Sequence, residues 1–94
     1  MIRGFTCGTF DLLHAGHILM FREIKEQCDY LIVGIQTDPS FRPGKNNPIQ
    51  SIDERKLQLE AVRFVDQVVQ YDTEEDLVDL LKMTKPDLRF VGMD

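Results

Sequence analysis

The sequence predicts an α/β protein, a three-layer α/β/α arrangement around a parallel sheet, and three observations carry that reading. Apolar runs of strand length alternate with amphipathic stretches of helix length, which requires crossover connections and so a parallel sheet. One run, Tyr30-Leu31-Ile32-Val33-Gly34-Ile35, is apolar at nearly every position, as in a strand covered on both faces. The first strand enters the first helix through a turn, Gly8 to His17, that carries both histidines of the chain, three residues apart.

Met1 to Cys7 reads as the first strand, with β-branched or aromatic residues at Ile2, Phe5 and Thr6. After the turn, a helix is expected from about Gly16 to Gln27. Its apolar set of Leu13, His17, Met20, Phe21, Ile24 and Cys28 keeps to one face, with Arg22, Glu23, Lys25 and Glu26 largely opposite. Tyr30 to Ile35 is the second strand. The polar segment from Gln36 to Gln50 follows, punctuated by Pro39, Pro43, Gly44 and Pro48. Connections this long are uncommon inside one domain and are often functional. Ser51 is the expected N-cap of a second helix, and Glu54 completes a capping box. That helix is expected to continue to Phe64, with Leu57, Ala61, Phe64 and Val65 on its inner stripe. Asp66 to Tyr71 is the third strand, centred on Val68-Val69. Asp72-Thr73 opens a third helix that runs to about Lys85, where Pro86 stops it. Asp87 to Val91 is the fourth strand, and Gly92-Met93-Asp94 leaves its carboxyl end.

The order β-α-β-α-β-α-β is Rossmann-like, and ligands of such sheets bind beyond the carboxyl ends of the strands. The Gly8–His17 turn, Thr37-Asp38, the segment after it and Asp94 therefore converge on one edge.

Residues 1–94 are read as a single domain. A formal net charge of −5 argues against a general nucleic-acid binder, which would carry a basic excess, but leaves room for a small anionic ligand. Cys7 and Cys28 have neither CxxC spacing nor a Cys/His cluster around them and are expected to be reduced thiols. The chain opens without a signal-peptide pattern and has no apolar stretch near the ~20 residues of a membrane span, so a cytoplasmic location and no membrane partner are expected.

The turn is where chemistry is expected. Gly8 lets the backbone turn after the strand and lets a ligand approach closely. Gly16 opens space at the helix start. The N-terminus of a helix presents unpaired N–H groups and a partial positive charge, which suits phosphate. His14 and His17 could add ring N–H donors to a phosphate on which charge develops. Alternatively, His17 lies on the apolar helix face as a core histidine. No third ligand stands at metal-site spacing, so no direct metal site is expected. Neither common glycine-rich phosphate signature is present.

The string Gly8-Thr9-Phe10-Asp11-Leu12-Leu13-His14-Ala15-Gly16-His17 resembles the H-x-G-H signature of the nucleotidyltransferase superfamily, in its cytidylyltransferase branch. Asp29-Tyr30-Leu31-Ile32-Val33-Gly34 with Thr37-Asp38, Glu54-Arg55-Lys56, Val62-Arg63-Phe64-Val65-Asp66 and Gly92-Met93-Asp94 extend the likeness along the whole chain. Within the branch it is most similar to the glycerol-3-phosphate cytidylyltransferases.

The resemblance implies transfer of CMP from CTP to a phosphorylated alcohol such as glycerol 3-phosphate, giving CDP-glycerol and pyrophosphate. It implies that the acceptor phosphate attacks the α-phosphorus in line, with Mg²⁺ carried by the triphosphate. By the same resemblance Gly8, Thr9, Phe10, Asp11, His14, Gly16, His17 and Asp94 bind the nucleotide, Asp11 by organising the turn. His14, His17, Lys45 and Arg55 are the expected catalytic set, with Arg42 able to substitute in the loop. Asp38, Arg63 and Asp66 are expected in structural or interface roles, in a homodimer. Family members continue past the Gly-x-Asp ending into a segment resembling R-T-x-G-[IV]-S-[ST]-[ST]. The domain is therefore expected to be incomplete at its C-terminal side, with weak or no turnover if 94 residues are all.

Three other functions fit the sequence. One is an adenylyltransferase of the same superfamily acting on FMN or a sugar phosphate. The others are a non-catalytic nucleotide-binding module and a purely structural α/β domain.

Overall fold

The computed structural model describes residues 1–38 and 47–90. Its elements are β1 (Arg3–Gly8), α1 (Ala15–Lys25), β2 (Tyr30–Gln36), α2 (Ile52–Glu60), β3 (Gln67–Tyr71), α3 (Glu74–Thr84) and β4 (Leu88–Arg89). The four strands form one sheet in the order β3-β2-β1-β4, and every pairing is parallel. The predicted alternation and the parallel sheet are both present.

Topology sets the layers. Stepping from β1 to β2 to β3 moves across the sheet in one direction, so right-handed crossovers put α1 and α2 on the same face. The return from β3 to β4 reverses direction and carries α3 to the other face. The core divides accordingly. Phe10, Phe21, Ile24, Leu31, Val33, Ile35, Leu59 and Val62 are buried together on the α1–α2 side. Phe5, Ile32, Tyr71 and Leu77 are buried together beneath α3. β2 feeds both sides by alternation, and Gly34 makes room on the α3 side. A Cβ there would lie 2.9 Å from the tip of the Phe5 ring.

All three helices open on a capping box: His14 with His17, Ser51 with Glu54, and Thr73 with Asp76. α3 closes at Lys85, in a left-handed conformation (φ 47°), just before Pro86. Neither Cys7 nor Cys28 is in a disulfide, and burial pushes the Cys28 thiol up. No helix among the described residues is long and apolar enough to cross a membrane.

The second helix corrects the expected stripe. It ends at Glu60 rather than Phe64, Leu57 is 68% exposed, and Ala61 is exposed. The inward positions are Arg55 and Leu59, four apart. The apolar pattern was displaced because one core-facing position is an arginine, which periodicity counts as surface. Phe64 and Val65 do pack on the core, but from the connection after the helix.

Candidate nucleotide site

β1 ends at Gly8, paired in register with Ile35 of β2, and the chain turns sharply there. Two bulky residues in that turn, Phe10 (φ 52°) and Leu12 (φ 54°), sit in the left-handed region. Each such residue stores on the order of 1–3 kcal/mol of strain and persists only where its surroundings fix it. Here they do. The Phe10 ring is buried, 5.5 Å from the Phe21 ring and edge-on to His17 at 5.7 Å. Asp11 accepts the amide N–H groups of Ile49 (2.8 Å) and Gln50 (2.9 Å), while Leu12 N–H donates to Gln50 Oε1 (2.8 Å). The turn is thus pinned to the core on one side and to the entry of α2 on the other.

This geometry refines two expectations. The Phe10 side chain faces the core, so any contact it makes with a nucleotide comes from its backbone. Asp11 ties the turn to the approach of α2 through the Ile49 and Gln50 amides. Burial acts to raise its pKa, but the amides of Ile49, Gln50 and Leu12 and the charge of Arg55 outweigh that. The carboxyl is held below its ordinary value.

His14 is the N-cap of α1 and is exposed, whereas His17 is 2% exposed. Gly16 N–H donates to His14 Nδ1 (3.0 Å), and His14 N–H donates to His17 Nδ1 (3.2 Å). The ring centroids are 4.0 Å apart. Beside them, Thr9 is buried, and its Oγ1 has no hydrogen-bond partner among the described residues. A buried hydroxyl without a partner is costly, and a ligand oxygen over the turn would satisfy it.

Arg55 departs most from expectation. It was expected to touch substrate, yet it is 1% exposed. Its guanidinium donates to four backbone carbonyls: Thr9 O (3.0 Å) and Gln36 O (2.7 Å) from Nη1, Thr37 O (2.5 Å) from Nη2, and Gln50 O (3.2 Å) from Nε. Four of its five N–H donors are therefore committed. It ties together the ends of β1 and β2 and the start of α2, and is a positioning residue. Burial pulls its pKa down, while Asp11 and Asp38 oppose that, so Asp38 contributes as part of Arg55's charge environment. Thr37 adds a hydroxyl bond to Asp72 that joins β2 to the end of β3.

The other expected residues are not part of the turn itself. Asp66 accepts Leu31 N–H (2.7 Å) and pairs with Lys25 at the opposite end of the sheet, a structural role. Arg63 is exposed on the rim of an apolar groove of about 570 Å³, lined also by Leu13, Ile18, Val62 and Phe64. Lys45 and Asp94, with Arg42, lie outside the described residues. Among the described residues no group of three His, Cys, Asp or Glu side chains could hold a metal. Sequence reading missed Gln50, whose partner lies 38 positions away. It also missed Gln36, a buried amide signalled only by a polar residue closing an apolar run.

Comparisons place this site in a family. The family model for cytidylyltransferase-like proteins matches residues 5–94. The bifunctional protein HldE of Caulobacter vibrioides is 41% identical over 93 residues, covering 97% of this chain and 19% of that protein. That of Campylobacter fetus is 40% identical over 92 residues, covering 96% of this chain and 20% of that protein. The chain thus spans about a fifth of the length of the curated relatives it matches. The crystal structure of a lipopolysaccharide core biosynthesis protein from Thermoplasma volcanium superposes with a TM-score of 0.84 at 31% identity, over 95% of this chain and 72% of that one. With its H-x-G-H turn at the carboxyl edge of a parallel sheet, the chain belongs to the cytidylyltransferase-like family of nucleotidyltransferases.

Proposed function

We propose that the chain carries the nucleotidyl-transfer site of an enzyme that joins a nucleoside monophosphate, taken from its triphosphate, to a phosphorylated alcohol. An oxygen of the acceptor phosphate forms the new bond to the α-phosphorus as the bond to pyrophosphate breaks. The observation that supports this is the strained, doubly pinned turn that sets two histidines at the N-terminus of α1. Such a site works by orientation and by donors aimed at developing charge. Mg²⁺, when bound, neutralises the triphosphate. The donors at the turn are amide and imidazole groups, which suit the phosphates of a metal–nucleotide, so the ion is held by the phosphates.

Three donor–acceptor pairs fit. The Gly8–His17 string supports CTP with glycerol 3-phosphate. A sugar-phosphate acceptor, paired with ATP in the adenylyltransferase reading, has support on the acceptor side from the likeness to a lipopolysaccharide core biosynthesis protein, because that core is a saccharide. FMN is a further acceptor for the ATP reading. Pyrophosphate release from CTP and from ATP, each with glycerol 3-phosphate, a sugar phosphate or FMN, tests them. Activity with ATP and a sugar phosphate alone sinks the glycerol reading. Tight triphosphate binding with no release under any pairing points to a non-catalytic binding module. The reading includes a cytoplasmic homodimer with Arg63 near the contact, and light scattering of the purified protein checks its mass.

A further inference from the structure

Resting on the nucleotidyl-transfer reading, we infer that Gln50 is a positioning residue: its side-chain oxygen holds Leu12 in the left-handed region and so fixes the half of the turn that leads into α1. The two strained residues of the turn are held by different means. Phe10 keeps its positive φ because its ring is buried in the core. Leu12 has no such anchor, since it is 49% exposed, yet its φ is 54°. A bulky residue avoids that region unless something outside it enforces the conformation. At Leu12 the enforcing contact is a hydrogen bond from its N–H to Gln50 Oε1 (2.8 Å). The Asp11 carboxyl also feels this amide, but its two oxygens already accept the N–H groups of Ile49 and Gln50.

Gln50 can hold Leu12 because it is itself fixed. Its N–H donates to Asp11 Oδ1 (2.9 Å), and its carbonyl accepts Nε–H of the buried Arg55 (3.2 Å). The next residue, Ser51, caps α2. Backbone and side chain of one residue thus grip two consecutive residues of the turn, Asp11 and Leu12. The grip carries the position of α2 into the turn, two residues before the N-cap of α1. Its part in the reaction is indirect. It keeps the turn in working geometry before substrate arrives, so that binding need not order it.

Gln50→Met keeps the length of the side chain and removes the acceptor. In the ligand-free variant, amide hydrogen exchange at Leu12 should speed up about tenfold or more while the amides of β2 keep their rates. Unchanged exchange at Leu12 overturns the inference. Pyrophosphate release from CTP and from ATP, with glycerol 3-phosphate or a sugar phosphate, reads the consequence. Gln50→Met should lower kcat about tenfold with a melting temperature within about 4 °C of the parent. Full kcat beside a loosened Leu12 amide refutes the positioning role, and so does a fall in kcat matched by the loss of folded protein. Leu12→Gly separates the hold on residue 12 from general stability, because glycine adopts positive φ without enforcement. In that background the same Gln50→Met step should cost no more than about threefold in kcat, and an undiminished loss refutes the link through Leu12. If the parent releases no pyrophosphate under any pairing, the proposed function fails, and exchange at Leu12 alone decides whether Gln50 holds the turn.

Discussion

The two ends of the same sheet solve the same problem with opposite chemistry. At the amino ends, backbone N–H groups emerge, and exposed carboxylates receive them: Asp29 takes Ile2 N–H, Asp87 takes Arg3 N–H, and Asp66 takes Leu31 N–H. At the carboxyl ends, carbonyls emerge, and one buried guanidinium, Arg55, gathers those of Thr9, Gln36 and Thr37. Parallel strands leave like groups together at each end, so anions suit one edge and a cation the other. The difference is in concentration of risk. Three solvated carboxylates share the work at one edge. A single desolvated cation does it at the other, directly under the turn that holds the histidines.

Breaking the sheet at its carboxyl edge should therefore cost most. Arg55→Met strands several buried carbonyls, and a loss of about 3–5 kcal/mol in denaturant unfolding is expected, with the proposed nucleotidyl transfer abolished. Arg55→Lys should rescue little, because one ammonium cannot match a planar fork serving four carbonyls. Asp11→Asn comes next, at about 1–3 kcal/mol, since an amide keeps one good acceptor where two amides need receiving. It also has a pH signature. The folded-state pKa of Asp11 lies below its unfolded value, so its contribution is present above about pH 4 and is lost as pH falls through the folded value. The stability gap between parent and Asp11→Asn should accordingly close on acidification, as read by urea unfolding from pH 6 downward.

At the amino edge the same kind of change should be mild. Asp66→Asn, which keeps an acceptor for Leu31 N–H and loses the partly exposed pair with Lys25, should cost about 1 kcal/mol or less. Equal losses for Arg55→Met and Asp66→Asn would erase the contrast between the edges. Smallest of all, Leu57→Gln should stay within about 0.5 kcal/mol, because that leucine is 68% exposed.

The same contrast explains what could be read from the sequence. The strands and helices announced themselves through period and punctuation, and the Ser51–Glu54 cap through spacing alone. The turn declared itself by its position between strand and helix and by its two histidines. Arg55 did not, because no local pattern distinguishes a buried arginine from a surface one, and its carbonyl partners at Thr9, Gln36 and Thr37 lie 46, 19 and 18 positions away. Asp11 was read as an organiser of the turn, but its hold on Ile49 and Gln50 spans the whole of α1 and β2. Local rules find elements, whereas the ties that set one element's end against another's belong to the assembled sheet.

The buried ring of Phe10 has a consequence for motion. Surface turns commonly open on their own, but this one has its middle residue inside the main core, against Phe21. Local opening of the turn would have to extract an aromatic ring, which couples it to the cooperative unit formed by α1 and β2. Hydrogen exchange should show protection of the amides donated to Asp11 rising and falling with that of the central strand, and Phe10→Ala should release the turn well before the sheet.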